Sequence, residues 1–520
     1  MKLDVASSRG KRREVTGAAE LLTAAKGGGF LAGGSLVEFV SRFFIALLLA
    51  RALEATGYGL YTLTVSAGAL FAGISRLGLD DAMVRYVAIM SGRKDERGLW
   101  GTVQIGFLVS ALTGPIAAAA LYLAAEPIAA GVFHEPRLTE LLKLMAIILP
   151  FLNVSAVLLG CARGYKRMDY AAFAENVVQS VVRLVVLGVL FLIGLNVFTA
   201  VVVFGVADVA ASITLITLLN REARWRPLRR DVRRDVRQVF GFAIPLWLSG
   251  LLNQFRKNIE TVILGAMASI ASVGIFSIVG RIQLAGHAVY RAMIVSVKPV
   301  LAQLHDRGDR AELSQVYRST TRWTLALNIP FFLVSVLYPE QLLAVFGESF
   351  VSGAPALVIL AVSELIIAGT GICGSLIDMT GHTGAKLVNS VVWMVVLLGT
   401  SLWLIPRYGI LGAATASLIA TGVVNLLRVS QVWFLEHLSP YDRSYWKPAT
   451  AALGAYLAGL AMLRFLPIEP SLWSVAAQAL AVVGTYLGLT LVFRLAPEDR
   501  LVMNRVGRRL GKRFGRSRAD

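Results

Sequence analysis

Residues 48–63 read LLARALEATGYGLYTL and residues 263–278 read ILGAMASIASVGIFSI. The two lie over one another without a gap at an offset of 215 positions, Gly59 on Gly274 and Tyr61 on Phe276. Carried outward, the same offset sets Arg42 on Lys257 and Arg76 on Arg291, a cation on a cation each time, inside otherwise apolar stretches. A second correspondence, IGLNVFTA from Ile193 with IPRYGILGA from Ile405, is spaced 212 positions. Repetition at this scale is the pattern of a transporter assembled from two related halves.

The repeat sits in a chain of 520 residues that is 56% hydrophobic and 16% charged, far from the composition of an average soluble domain. A helix rising 1.5 Å per residue needs roughly 20 apolar residues to cross a hydrocarbon core. Fourteen runs of about that length are present: 27–50, 59–79, 99–124, 139–160, 173–193, 198–219, 239–265, 272–297, 319–338, 352–372, 387–405, 410–433, 449–466 and 472–493. The expected fold is therefore an all-α polytopic membrane protein with about 14 transmembrane helices, two pseudo-symmetric six-helix lobes followed by two terminal helices. The expected divisions are a basic N-terminal segment (1–26), a first lobe with its basic linker (27–238), a second lobe (239–448), helices thirteen and fourteen (449–494) and a basic tail (495–520). An even number of spans per lobe makes the repeats parallel. The first apolar run follows polar, basic residues and lacks a small-residue cleavage site, so it reads as a retained helix and not a signal peptide.

Charge fixes the expected orientation. The chain carries 51 Lys plus Arg against 32 Asp plus Glu, a net charge of +19. Placing the N-terminus inside assigns about 36 basic residues to cytoplasmic segments and about three, Arg51, Arg137 and Arg407, to the outer loops. Both termini are expected to be cytoplasmic, in a cytoplasmic (inner) membrane. Two basic stretches carry apolar residues at helical spacing: 221–240, with Leu228, Val232, Val236 and Phe240, and the tail, with Val502, Val506, Leu510 and Phe514. Such helices lie on anionic lipid. Nucleic acid is not expected as a partner, because the aromatic platforms that stack bases are missing. Two cysteines, Cys161 and Cys373, build neither a disulfide framework nor a metal site, and no phosphate-cradling GxxxxGK[ST] loop is present.

At this point the pattern resembles the multidrug/oligosaccharidyl-lipid/polysaccharide exporter superfamily, and most of all its polysaccharide-unit (O-antigen type) flippase branch. The residues that carry the likeness are 48–63, GCARGYKRMDY at 160–170 and PRYGILGAA at 406–414. The resemblance implies two lobes around a central cavity that opens alternately to each side. It also implies export of a polyprenyl-diphosphate-linked oligosaccharide for surface polysaccharide assembly, no cofactor beyond a candidate H+ or Na+ coupling ion, and a polysaccharide polymerase and glycosyltransferases as candidate partners. The chain is similar as well to lipid II flippases, whose cationic cavity is built on helices one, two and eight.

Ionisable side chains inside membrane helices are costly and are functional candidates by default. Arg42, Arg76, Lys257, Arg281 and Arg291 are the candidate diphosphate ligands, since guanidinium forks match phosphate oxygens. The plainer reading stands beside it. Arg76 and Arg291 lie near enough to the cytoplasmic face to snorkel, and Arg42 has Glu38 one turn away as an intrahelical partner. Glu38 and Glu364 are the candidate coupling or cavity acids; Ser363 and Thr370 are the nearby polar contacts for Glu364. Arg183 and Asp208 share a depth on consecutive helices and are expected to form a structural ion pair. Pro115, Pro150, Pro245 and Pro330 fall inside helices, and Gly29 and Gly33 form a GxxxG face for close packing.

Rival readings are a multidrug cation antiporter of the same fold, which needs cavity carboxylates, and a membrane glycosyltransferase or polymerase, which needs an outward-facing catalytic site that the short outer loops do not supply. A scaffold without transport is a further alternative. Reporter fusions at Arg229 and Gly511 should report a cytoplasmic location and one at Glu135 an external one. An external tail, or an odd number of spans, would overturn the two parallel lobes.

Overall fold

The computed structural model describes the backbone of residues 4–223, 231–465 and 472–492, and the side chains of these from residue 39 on except at 222, 223, 289, 472 and 473. All fourteen apolar runs fall on helices over their described residues, apart from the turns 76–78 and 371–372 and the bend at Tyr338. Eleven helices among the described residues are long and apolar enough to cross a membrane. The remaining three expected spans, the two arms of the first helix and the helix from Val236, are helical too; the latter holds Arg256, Lys257 and Glu260 in its middle. All-helical architecture is what the bilayer demands, because every backbone group must be satisfied within its own segment.

The chain divides into two compact units, Met1–Ala266 and Met267–Asp520. In the first, α1 (Asp4–Ser75) is broken at Glu54, whose φ of 56° leaves the helical ladder and separates residues 4–53 from residues 55–75. α2 (Leu79–Gly92), α3 (Glu96–Glu126), α4 (Arg137–Gly164), α5 (Met168–Ile193), α6 (Val197–Ala223) and α7 (Val236–Met267) follow. The helix expected to open the second lobe, α7, packs with this first unit. Tyr86 donates its hydroxyl to the Gln238 carbonyl at 2.9 Å, and Trp247 Nε1 donates to the carbonyls of Gly73 and Ile74 at 3.0 and 3.1 Å. Gly78, at φ 72°, turns the chain between α1 and α2 hard against α7, where a Cβ would overlap the Ala243 carbonyl.

α2 was not expected from hydropathy. Its buried residues, Leu79, Ala82, Met83, Tyr86, Val87 and Met90, recur at three and four positions and enter the core with α3, α4 and α6, while Asp80, Asp81 and Arg85 occupy the rest of its surface.

The basic linker departs from expectation. Leu228 lies outside the described residues, and 231–235 are not helical. They are strapped to the start of α3: Arg233 pairs with Asp95 at 2.7 Å, Asp231 with Arg97 at 2.8 Å, and Arg234 donates to Gln104 at 2.6 Å. Charges that find protein partners at this spacing have no need of helix or lipid, so the amphipathic surface helix does not run through this part of the linker. The tail from 493 lies outside the described residues.

The second unit contains α8 (Ile270–Asp306), α9 (Arg310–Leu337), α10 (Ala354–Thr370), α11 (Cys373–Met379), α12 (Thr383–Tyr408), α13 (Ile410–Glu436), α14 (Trp446–Phe465) and α15 (Leu472–Val492). One apolar cluster joins Leu301 and Leu304 of α8 to Tyr317 of α9, Leu376 of α11 and Val432 of α13. A second joins Ile329 and Leu333 of α9 to Ala451 and Ala455 of α14 and Tyr486 of α15, small residues letting the terminal helices approach closely. Ser269, Asp309 and, in the first unit, Asp95 cap α8, α9 and α3 by accepting from backbone N–H groups at 3.0–3.1 Å. The four expected prolines lie inside α3, α4, α7 and α9, joined by Pro299 in α8 and Pro406 in α12.

Arg322 of α9 is a buried charge that the sequence reading passed over. Its guanidinium donates to Asp442 at 2.9 Å and to the Ser444 hydroxyl at 2.5 Å. The Tyr445 hydroxyl, next in the chain, donates to the Gly369 carbonyl. These bonds tie α9 and α10 to the segment before α14. Breaking a buried pair from one side leaves an uncompensated charge. Arg322→Leu should therefore cost about 3 kcal/mol, read as loss of folded protein in thermal unfolding, whereas Arg322→Met with Asp442→Leu should regain most of it.

Candidate functional site

Five helices of the first unit enclose a cavity of about 300 Å³ with charged walls. Arg76 enters from the turn that Trp247 and Gly78 hold after α1, and Asp80 from the first turn of α2. α4 supplies Arg163 from its last turn. α5 supplies Glu175 from a π-helical turn over Phe173–Val178, Gln179 just beyond it and Arg183 one turn further, and α6 supplies Asp208. A π turn is a frequent companion of functional sites, because the extra residue re-aims the side chains that follow.

The charges are sorted by depth. Arg163 and Glu175, each about two-fifths exposed, pair at 2.8 Å. Deeper in, Asp208 is buried, and Gln179 Nε2 donates to its Oδ1 at 3.2 Å. The Arg183 guanidinium lies 4.3 Å over the Phe204 ring. Asp208 Oδ2 and Arg76 Nε are both buried without a hydrogen bond. A buried polar atom left this way costs about 1–3 kcal/mol, so Arg76 Nε and Asp208 Oδ2 are a donor and an acceptor that a ligand can meet.

Of the candidate residues, the structure brings Arg76, Arg183 and Asp208 to one cavity. Arg42 on α1, Lys257 on α7, and Arg281 and Arg291 on α8 lie outside it, each exposed. Lys257 and Arg291 form no ion pair with any described residue. The Glu38 side chain falls outside the described residues. Glu364 is buried, and its partners are neither Ser363 nor Thr370: Gln283 Nε2 donates at 3.2 Å and His287 Nδ1 lies 3.3 Å away, while Thr370 donates to the Ile366 carbonyl. Cys161 and Cys373 are buried, and burial pushes the Cys373 thiol up to about 11, which keeps it protonated and inert at neutral pH.

Asp80, Arg163, Glu175 and Gln179 were missed as site residues. Arg163 stands in the quoted 160–170 motif, where a basic residue at an expected cytoplasmic helix end reads as a topology signal. The spacing of Glu175, Gln179 and Arg183, four and four, was the legible sign that they share a face of α5.

The fold is similar to that of lipid II flippase MurJ in an inward closed conformation, with a TM-score of 0.69 at 13% identity over 89% of this chain and 98% of that one. It is also similar to an inward-facing multidrug resistance MATE family transporter of the MOP superfamily, with a TM-score of 0.62 at 16% identity over 77% and 94%. These likenesses define the class, a multi-pass, all-helical membrane protein with a MurJ- and MATE-like fold. The chain belongs to the polysaccharide biosynthesis protein family, whose pattern matches residues 24–305, just over half its length. Stage V sporulation protein B of Bacillus subtilis is 23% identical over 504 residues, covering 92% of this chain and 96% of that protein. A probable low-salt glycan biosynthesis flippase of Haloferax volcanii is 21% identical over 201 residues, 38% of this chain and 43% of the relative, so the chain spans under half the length of that protein.

Asp208→Asn and Arg183→Gln, made singly, should each lower the amount of folded protein in the membrane, and the charge swap Arg183→Asp with Asp208→Arg should restore part of it. Full levels in both single variants would remove the ion pair from the account.

Proposed function

We propose that the chain moves a polyprenyl-diphosphate-linked oligosaccharide from the inner to the outer leaflet for surface polysaccharide assembly, by alternating access. The observation that supports it best is the state of its membrane cations. Where an arginine is buried among packed helices, as Arg322 is, a carboxylate meets it. Lys257 and Arg291 are exposed and meet no carboxylate among the described residues, and Arg76 keeps a buried guanidinium N–H without a bond. Such cations suit an anionic ligand whose hydration must be replaced as it enters.

The diphosphate is the part of the substrate for which this chemistry matters. In this reading Arg42, Arg76, Lys257, Arg281 and Arg291 hold its oxygens. With both termini cytoplasmic and a potential of about 100 mV, negative inside, two phosphate charges moving outward gain roughly 4 to 5 kcal/mol. A multidrug antiporter of similar fold is the second reading; its cationic substrates would be repelled by these residues.

Replacing Arg42, Arg76 or Arg291 with Ala, one at a time, should cut translocation of a fluorescent polyprenyl-diphosphate oligosaccharide in proteoliposomes at least tenfold, with membrane amounts matched. Arg→Lys should rescue poorly wherever the guanidinium binds as a fork. Normal transport by all three Ala variants would leave the arginines as topology signals, and drug efflux without glycolipid movement would favour the antiporter.

A further inference from the structure

The chain has five histidines, and three of them stand against a buried glutamate of the second unit. His287 Nδ1 lies 3.3 Å from Oε1 of Glu364 and 3.4 Å from Oε2. Glu436, at the end of α13, lies between two imidazoles: His305 Nδ1 is 3.9 Å from its Oε2 and His382 Nδ1 is 3.6 Å from its Oε1. The glutamate side chains are 5% and 9% exposed, whereas the histidines are 32%, 39% and 34% exposed. The imidazoles are therefore the more open members of each clasp.

His287 and His305 both belong to α8. They are eighteen residues apart, five turns at 3.6 residues each, and so lie on the same face. That face is clasped at two levels, to α10 through Glu364 and to α13 through Glu436. His382, at the start of α12, is held by the Thr380 hydroxyl at 2.9 Å and closes the second clasp. The same helix α8 carries Arg281 and Arg291.

We propose that His287–Glu364 and His305–Glu436–His382 are proton-binding sites that latch α8 to the second unit, gripping it when the imidazoles are charged and loosening it when they are neutral. A charged imidazole against a carboxylate, as His287 stands to Glu364 at 3.4 Å, makes a charge-assisted hydrogen bond, roughly twice as strong as its neutral counterpart, while His382 and His305, at 3.6 and 3.9 Å, attract Glu436 as charges without a hydrogen bond. Histidine is the side chain whose charge changes in the physiological range. The charges around the upper clasp are fixed in place. Tyr290 of α8 packs on the His287 ring at 5.4 Å; Arg428 of α13, Cys373 and Asp378 of α11, and Tyr317 of α9 lie around Tyr290. Lys386 of α12 pairs with Asp378 at 3.2 Å. Around the lower clasp stand Asp306 and Arg307, following His305, and His437, following Glu436. Among the histidines of the second unit, His287, His305 and His382 are the ones that stand against a buried carboxylate.

As regulation of translocation, the latch rests on the proposed function; as a device of the fold, it does not. Backbone hydrogen–deuterium exchange on the full chain in lipid nanodiscs, corrected for intrinsic exchange, should show segment 281–305 at least tenfold better protected at pH 6 than at pH 8. Glu364→Gln with Glu436→Gln should abolish that difference. His287→Asn with His305→Gln, which spares both glutamates, should abolish it too if the first pair of changes costs folding. Equal protection at both pH values in the unaltered chain, or a difference that survives in both variants, overturns the latch. In proteoliposomes without a pH gradient, a fluorescent polyprenyl-diphosphate disaccharide should cross about tenfold more slowly at pH 6 than at pH 8, and the Gln variant should lose this dependence. Movement that ignores pH overturns the latch as a regulator. Absence of any movement, with the exchange difference intact, supports the latch and counts against the flippase reading instead.

Discussion

An ionised side chain at the centre of a bilayer costs about 2.5–3.5 kcal/mol even by the most lenient measure, and the placement of charge in this protein follows from that cost. Arg322, shut between helices, is met by Asp442. Asp208 is buried but opens on a polar cavity that it shares with Arg76 and Arg183. Glu364 and Glu436 are buried and are met by histidines. Lys257 and Arg291 follow a different rule: they are exposed and unmatched among the described residues, a state that a membrane helix sustains where water or an anionic ligand reaches it.

The second constraint is the backbone. Because helices satisfy their own hydrogen bonds, the units differ mainly in how helix ends and breaks are held. In the first unit the break at Glu54, the positive φ at Gly78 and the Trp247 indole acting on α1 carbonyls fix the turn from which Arg76 enters its cavity. The strap at 231–235 fixes the start of α3 by exchanging a possible lipid contact for ion pairs with Asp95 and Arg97. In the second unit α8 takes the corresponding position of importance: one helix carries two candidate phosphate ligands and two histidines, and buried carboxylates on its neighbours hold it at two depths.

The sequence was informative where one local rule governs. Apolar length alone placed the long helices, eleven of which are long and apolar enough among the described residues to cross a membrane, since crossing hydrocarbon sets a minimum that few other contexts require. It also set Arg183 and Asp208 at one level, by equal distance from a shared turn of consecutive helices, and both line the same cavity. It failed where polarity and burial disagree. α2 buries six residues on one face, yet its acidic first turn and Arg85 keep its hydropathy low, so length and apolarity overlooked it. Gln179 and Glu175 were passed over because neither is unusual by itself.

What the sequence determined, then, was the class of protein and the order of its long apolar helices, because both depend on the interaction of a segment with the bilayer and not with a distant segment. The tertiary structure alone decided which charges meet. Glu364 gained His287 across 77 positions, Arg322 gained Asp442 across 120, and α7 went to the first unit although the repeat matches it with α1. No periodicity encodes such pairings. They depend on how helices pack, and one helix rotated by a single residue would turn each of these side chains by about 100° away from its partner.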